Sequence, residues 1–447
     1  MGLFDRLRGS DGPRVAFFGI DGVPFSLIDD HPEVFPELTA MRTAGAGAAI
    51  DSIVPPESSA CWPSLTTGVN PGSTGVYGFQ DREIGSYETY VPIGRDVQAT
   101  RVWDRVTDAG RQATVMNVPV TFPPQREIQR MVSGFLSPGL EQACHPAALE
   151  QTLSEIGYRI DVNATLGRDG DLEAFLADAH ETLERRYEAF DRYVTEDDWD
   201  LFFGVFMTTD RVNHFFFEDY ERDGEYYEEF LEFYGTVDTY LGKLRAALPD
   251  DVTTIVASDH GFTTLDYEVH LNRWLEREGW LTFATDDHEQ LTDIADETRA
   301  YALIPGRLYL NLEDREPRGS VSRDVYRETL AELEMALLDL EGPDGEQVIE
   351  RVVRGREVFQ GHHDAIAPDL VALPTNGFDL KAGYGSGGPI FDRGPRNGMH
   401  TFENATLFTD NPQLDLTDVD LYDVTPTILD LMEIEYDGEA FDGRSLV

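Results

Sequence analysis

Three largely apolar six-residue runs, VAFFGI (Val15–Ile20), LFFGVF (Leu201–Phe206) and VTTIVA (Val252–Ala257), each give way within a few residues to an aspartate. Runs without polar alternation are characteristic of strands buried on both faces, as in a parallel sheet. Helical stripes separate them. Leu176, Ala179, Leu183, Tyr187, Phe190 and Val194 recur at spacings of three and four, as do Tyr227, Phe230, Leu231, Tyr234, Val237, Leu241 and Leu244. Shorter helices are expected over Pro36–Ala44 and 101–109, and ATVMNVPV reads as a further strand. This alternation predicts a doubly wound α/β fold: a three-layer α/β/α sandwich with a mainly parallel sheet and its chemistry at the carboxyl edge. Residues 265–355 are more polar and carry their own helix (Asp324 to Leu340), so they read as an inserted cap. Residues 13–264 and 356–447 would then form the core.

With 447 residues, 41% of them hydrophobic, the chain can bury a large core. Acids outnumber bases 84 to 35, for a formal charge of -49, and only Lys243 and Lys381 are lysines. Such a surface repels a nucleic-acid duplex and anionic membranes. Because the acids are spread along the chain, they suit a halophilic, high-salt cytoplasm in which the Debye length shrinks to a few ångströms. Cys61 and Cys144 are too few for a disulfide framework. The opening MGLFDRLRGSDGPR lacks the apolar stretch of a secretory signal, and Arg6 breaks the myristoylation pattern. LFFGVFM, seven residues long, is far short of a membrane span. The expectation is a soluble cytoplasmic protein, its oligomeric state open.

The chemistry-bearing residues cluster at strand ends. Asp21 precedes Gly22, which permits a tight turn, and alone it would pass for a turn or cap residue. Asp259-His260 ends the third run, where an adjacent pair suits metal binding better than capping. Asp210 and His214 lie four apart, so on a helix they share a face and can reach one cation, or simply bond each other. His400, in RNGMHTFENATLF, is unremarkable alone. Together, three aspartates and three histidines can supply two sets of N/O ligands. Zn²⁺ is the favoured ion and Mn²⁺ also fits. Two such cations can clamp the attacking and leaving oxygens of an in-line displacement. The hydroxyl-rich loop PPESSACWPSLTTG supplies Ser58 as a nucleophile that a metal would activate. At a helix N-terminus its neighbouring N–H groups would also face phosphoryl oxygens. From this loop alone, Ser58 and Ser59 read better as a plain N-cap.

GIDG, PPESSACWPSLTTGVNPGSTGVYGF, TTDRVNH, SDHG, GMH and the ending DLYDVTPTILDLM…DGRSL together resemble the alkaline phosphatase superfamily. The resemblance is closest to its type I phosphodiesterase/nucleotide pyrophosphatase branch and to a group of predicted phosphohydrolases and phosphomutases. VWDRVTDAGRQATVMNVPVTFPP, LNRWLEREGWL and APDLVALP are similar to that latter group, so the likeness spans nearly the whole chain. It implies one metal site from Asp21, Asp259 and His260 with the nucleophile oxygen, and a second from Asp210, His214 and His400. It places the nucleophile at Ser58, where many relatives carry Thr. Sulfatases of the superfamily use C-x-P-x-R; here Cys61-Trp62-Pro63-Ser64-Leu65 lacks the arginine. The function implied is a two-metal phosphohydrolase, diesterase or monoesterase, acting on a small phosphate ester through a phosphoserine. A phosphomutase or headgroup transferase could use the same serine, and a metal-stabilised binding protein is the non-enzymatic alternative. Outside the ligand set, His362-His363 read as a solvated loop pair or a pair approaching the site, His270 as a packing residue or one supporting the site, and Arg307 and Arg315 as surface salt bridges or binders of a substrate anion.

Overall fold

The computed structural model describes residues 12–196 and 198–447. The amino-terminal segment read above as lacking a secretory or lipidation signal therefore lies, up to residue 11, outside the described residues. The core strands are β1 (Arg14–Ile20), β2 (Ala46–Ile50), β3 (Ala113–Val118), β4 (Arg130–Ser133), β5 (Cys144–His145), β6 (Leu201–Phe206) and β7 (Val252–Ala257). A second group comprises β8 (Gly261–Thr264), β9 (Tyr267–His270), β10 (Ala300–Leu303), β11 (Arg307–Leu310), β12 (Ile349–Arg354) and β13 (Leu370–Pro374). The last strands are β14 (Phe378–Lys381), β15 (Phe391–Asp392), β16 (Gly398–Thr401) and β17 (Ala405–Thr409).

Eight of them form one sheet in the order β2-β17-β7-β1-β6-β3-β4-β5. Its five central strands, β7 to β4, are all parallel, while β17, β2 and β5 pair antiparallel at the margins. The apolar runs explain the centre. β1 sends Ala16, Phe18 and Ile20 into one layer and Val15 and Phe17 into the other. The first layer is built by α4 (Leu172–Thr195), α5 (Thr208–Glu221) and α6 (Tyr227–Ala247), which contribute Leu183, Phe190, Phe216 and Phe233. The second holds α2 (Ser58–Thr67) and α3 (Val102–Asp108) with Trp62, Leu65 and Trp103. Together with α1 (Pro36–Ala44) on the first side, these helices make the expected three layers. No described helix is long and apolar enough to cross a membrane.

The inserted segment has its own core, with Trp274, Tyr301, Leu308, Leu333 and Leu370 among its buried residues. β13 joins the four-stranded sheet β10-β11-β13-β12, and β14 and β15 flank β9, so strands beyond residue 355 are hydrogen-bonded to strands within 265–355. The run APDLVALP shows that a strand exists but carries no information about which sheet it completes. Arg307 and Arg315, expected at the surface, are structural instead. Arg307 is fully buried and binds Asp81 and the Gln80 carbonyl, across the boundary from insertion to core. In the opposite direction, core Arg82 reaches Glu316 of the insertion at 3.0 Å. Arg315 chelates Asp369.

Candidate metal centre

β7, β1 and β6 are neighbours in the sheet, so their carboxyl ends bring Asp259-His260, Asp21 and the start of α5 side by side. Gly22 takes a positive φ of 66°, and its N–H donates to Asp259 Oδ1 at 3.2 Å. A Cβ at Gly22 would lie 3.1 Å from the His260 ring, so glycine is needed for both conformation and space. Asp210 and His214 sit one turn apart on α5, with His214 Nε2 at 3.4 Å from Asp210 Oδ1. His400 arrives from elsewhere: β16 pairs antiparallel with β8 and sets His400 opposite Phe262. Its Nε2 lies 3.1 Å from Asp210 Oδ1 and 3.2 Å from His214 Nε2. Ser58 is the first residue of α2, and its Oγ lies 3.1 Å from His260 Nε2 and 3.4 Å from Asp21 Oδ1. All seven residues singled out in the sequence thus converge.

The three imidazoles share one polarity. Nδ1 of His260, His214 and His400 faces the carbonyl of Gly261, Gly398 and Pro56 respectively, at 3.0, 3.1 and 3.2 Å. A carbonyl only accepts, so the proton sits on Nδ1 and every Nε2 presents a lone pair to the centre. Each aspartate is also divided. One oxygen is held by a donor: Trp62 Nε1 at 2.7 Å on Asp21 Oδ2, Arg211 Nη1 at 3.1 Å on Asp210 Oδ2, and Gly22 N–H on Asp259 Oδ1. The other oxygen faces the imidazoles, and Asp259 Oδ2 is buried with no hydrogen-bond partner. Lone pairs from six side chains meeting in a buried space repel one another unless a cation lies among them. The donor set of carboxylate oxygens and imidazole nitrogens fits Zn²⁺ or Mn²⁺. Two groups are compact enough for one ion each, Asp21/Asp259/His260 and Asp210/His260/His400, with His260 shared. His214 joins the second through its contacts with Asp210 and His400.

The electrostatics agree. Asp21 is raised well above the usual carboxylate range by burial and by Asp259 and Asp210, and burial pushes Asp259 up to about 7. Burial lowers His214 and His260, which keeps them neutral as ligands require. Clustered like charges with perturbed titration are characteristic of a functional site.

A model of the type I phosphodiesterase / nucleotide pyrophosphatase family matches residues 15–403. The chain belongs to this family. No curated protein matches it significantly in sequence. Among solved structures it is similar to phosphonoacetate hydrolase from Sinorhizobium meliloti 1021 in complex with phosphonoformate, at 16% identity and a TM-score of 0.62, over 94% of this chain and 96% of that one. It is also similar to murine ectonucleotide pyrophosphatase/phosphodiesterase 5, at 14% identity and a TM-score of 0.58, over 97% of both chains. These likenesses show the alkaline-phosphatase-like fold. Family membership places the chain among phosphoester hydrolases.

Two local expectations are corrected. Ser58 is not the N-cap of α2; Glu57 is, and its side chain accepts from Ser59 N–H at 3.2 Å. That N–H is therefore committed to Glu57 rather than open to a phosphoryl oxygen. Burial pushes the Glu57 carboxyl up to about 7. Cys61 is fully buried among apolar residues, its Sγ 3.3 Å from Ser52 Oγ. Sequence reasoning passed over Glu57, Trp62 and Arg211. Their neighbours in the chain marked the site, but which oxygen each would contact depends on side-chain direction. His362 and His363 stay on a loop, and His270 lies at the end of β9.

Proposed function

We propose that the chain is a two-metal phosphoester hydrolase that attacks small phosphate esters, diesters or monoesters, with Ser58. The observation that carries this reading is the position of Ser58 Oγ, within 3.4 Å of both Asp21 Oδ1 and His260 Nε2 at the head of α2. Asp21, Asp259 and His260 would hold one ion beside Ser58, and Asp210, His214 and His400 the other. Zn²⁺ suits this set best and Mn²⁺ is compatible. When bound, such ions lower the pKa of a coordinated hydroxyl and offset charge building on phosphoryl oxygens. The residues of the chain do the rest. Ser58 Oγ forms a bond to phosphorus as the bond to the leaving oxygen breaks, which gives a phosphoserine. Water then cleaves that ester, releasing phosphate or a phosphomonoester and restoring the hydroxyl. α2 holds Ser58 rigidly, because Glu57 caps it and the helix is buried along its length.

Replacing Ser58 by Ala is expected to abolish turnover of aryl phosphate mono- and diesters while two equivalents of Zn²⁺ or Mn²⁺ still bind. Turnover at the parent rate in that variant would move the nucleophile to Ser59 or to water.

A further inference from the structure

Trp62 donates its indole N–H to Asp21 Oδ2 at 2.7 Å, and both side chains are fully buried. Buried tryptophans usually find some acceptor. In this chain Trp103 donates to the Gln125 side chain and Trp199 to the Val194 carbonyl. Trp62 instead donates to a carboxylate of the metal centre. It lies four residues beyond Ser58, one turn along the same helix, so both oxygens of Asp21 face α2. Oδ2 meets the indole, and Oδ1 lies 3.4 Å from Ser58 Oγ. One rigid turn thereby sets the spacing between nucleophile and carboxylate.

The sheet makes room for this contact. A Cβ on Gly19 of β1 would stand 2.4 Å from Trp62 Cη2 and 2.9 Å from Val205 Cγ2, so the indole lies in a notch that only glycine leaves. Phe17 packs edge-on against the same ring at 6.5 Å between centroids. The ring is thus fixed by packing, and its N–H can aim in one direction. The other two aspartates are secured differently: Asp210 by the charge of Arg211, and Asp259 by a backbone N–H.

We propose that Trp62 is a positioning residue: it fixes which oxygen of Asp21 is presented to the metal and holds that oxygen in register with Ser58. This rests on the metal-centre reading above. Donors to the second atom of a metal ligand typically contribute 10–100-fold in affinity.

The test is Trp62→Phe, which keeps a ring against Gly19 and Phe17 but removes the donor. Zn²⁺ binding is followed by competition with a chromogenic chelator, alongside kcat and KM on an aryl phosphate. The expected result is about 10–100-fold weaker binding of one Zn²⁺, the other unchanged, with kcat reduced and KM held. Parent-like binding of both ions would overturn the role of Trp62. If the parent protein itself bound no pair of ions, the metal-centre reading would fall instead. Should the variant not fold, the parent protein labelled with ¹⁵N at its five indoles decides the matter. One buried indole N–H resonance must move on Zn²⁺ addition while those of Trp103 and Trp199 stay; no movement overturns the proposal.

Discussion

At the scale of single residues, the centre is a set of like charges that burial keeps from ionising together. Asp259 is pushed up to about 7, and Asp21 is raised well above the usual carboxylate range by burial, Asp259 and Asp210. A carboxyl whose folded pKa exceeds its unfolded value stabilises the fold below the unfolded pKa and loses that contribution as pH rises through the folded one. Buried His214 and His260, lowered by burial, act below about pH 6.5, where the unfolded histidines gain protons. Between pH 6.5 and 8.5 the two histidines return roughly 0.4 kcal/mol each, so the net fall comes from Asp21 and Glu57 together with Asp259. Chelator-treated protein should lose about 1 kcal/mol across that window from Asp259 alone, and more with Asp21 and Glu57. Urea unfolding at the two pH values measures it. Zn²⁺ should remove the slope, and Asp259→Asn should reduce it. A metal-free protein that became more stable toward pH 8.5 would contradict this account.

At the scale of elements, the decisive joint is between the insertion and Asp81–Arg82, a short strand in the segment that follows α2. Arg307 of β11 crosses to Asp81, and Arg82 crosses back to Glu316, all four side chains buried. Guanidinium groups removed from water cost several kcal/mol unless fully paired, so each pair holds its two elements in one arrangement. Asp81→Ala leaves Arg307 buried without its partner and should cost roughly 3–5 kcal/mol in urea unfolding. Asp81→Leu combined with Arg307→Met removes both charges and should recover most of that loss. If Asp81→Ala cost under about 1 kcal/mol, the joint would be solvated rather than buried.

At the scale of the whole molecule, -49 formal charges on 447 residues must repel one another across a single compact surface. In dilute buffer that repulsion acts over tens of ångströms; in molar KCl it is confined to about 3 Å. The protein should therefore gain thermal stability steeply between about 0.1 and 2 M KCl. Circular dichroism melts across that series give the answer, and a flat or falling midpoint would remove the high-salt reading of its surface.

The sequence alone determined the parallel sheet and which side chains meet at its carboxyl edge. A largely apolar six-residue run is buried on both faces, and an aspartate within a few residues of its end emerges at the sheet edge. Asp21, Asp259 and His260 were legible for that reason, and Asp210 with His214 from helical spacing. His400 and Ser58 were legible only through the whole motif set, because neither position carries a local signal. Tertiary structure alone decided what lies between residues. It paired β13–β15 with strands earlier than residue 355, closed Arg307 onto Asp81, and put Glu57 rather than Ser58 at the cap. It also aimed three Nε2 atoms inward by setting a carbonyl against each Nδ1. Pattern and spacing act along the chain, whereas a carboxylate's free oxygen or an imidazole's lone pair is assigned by atoms hundreds of residues away.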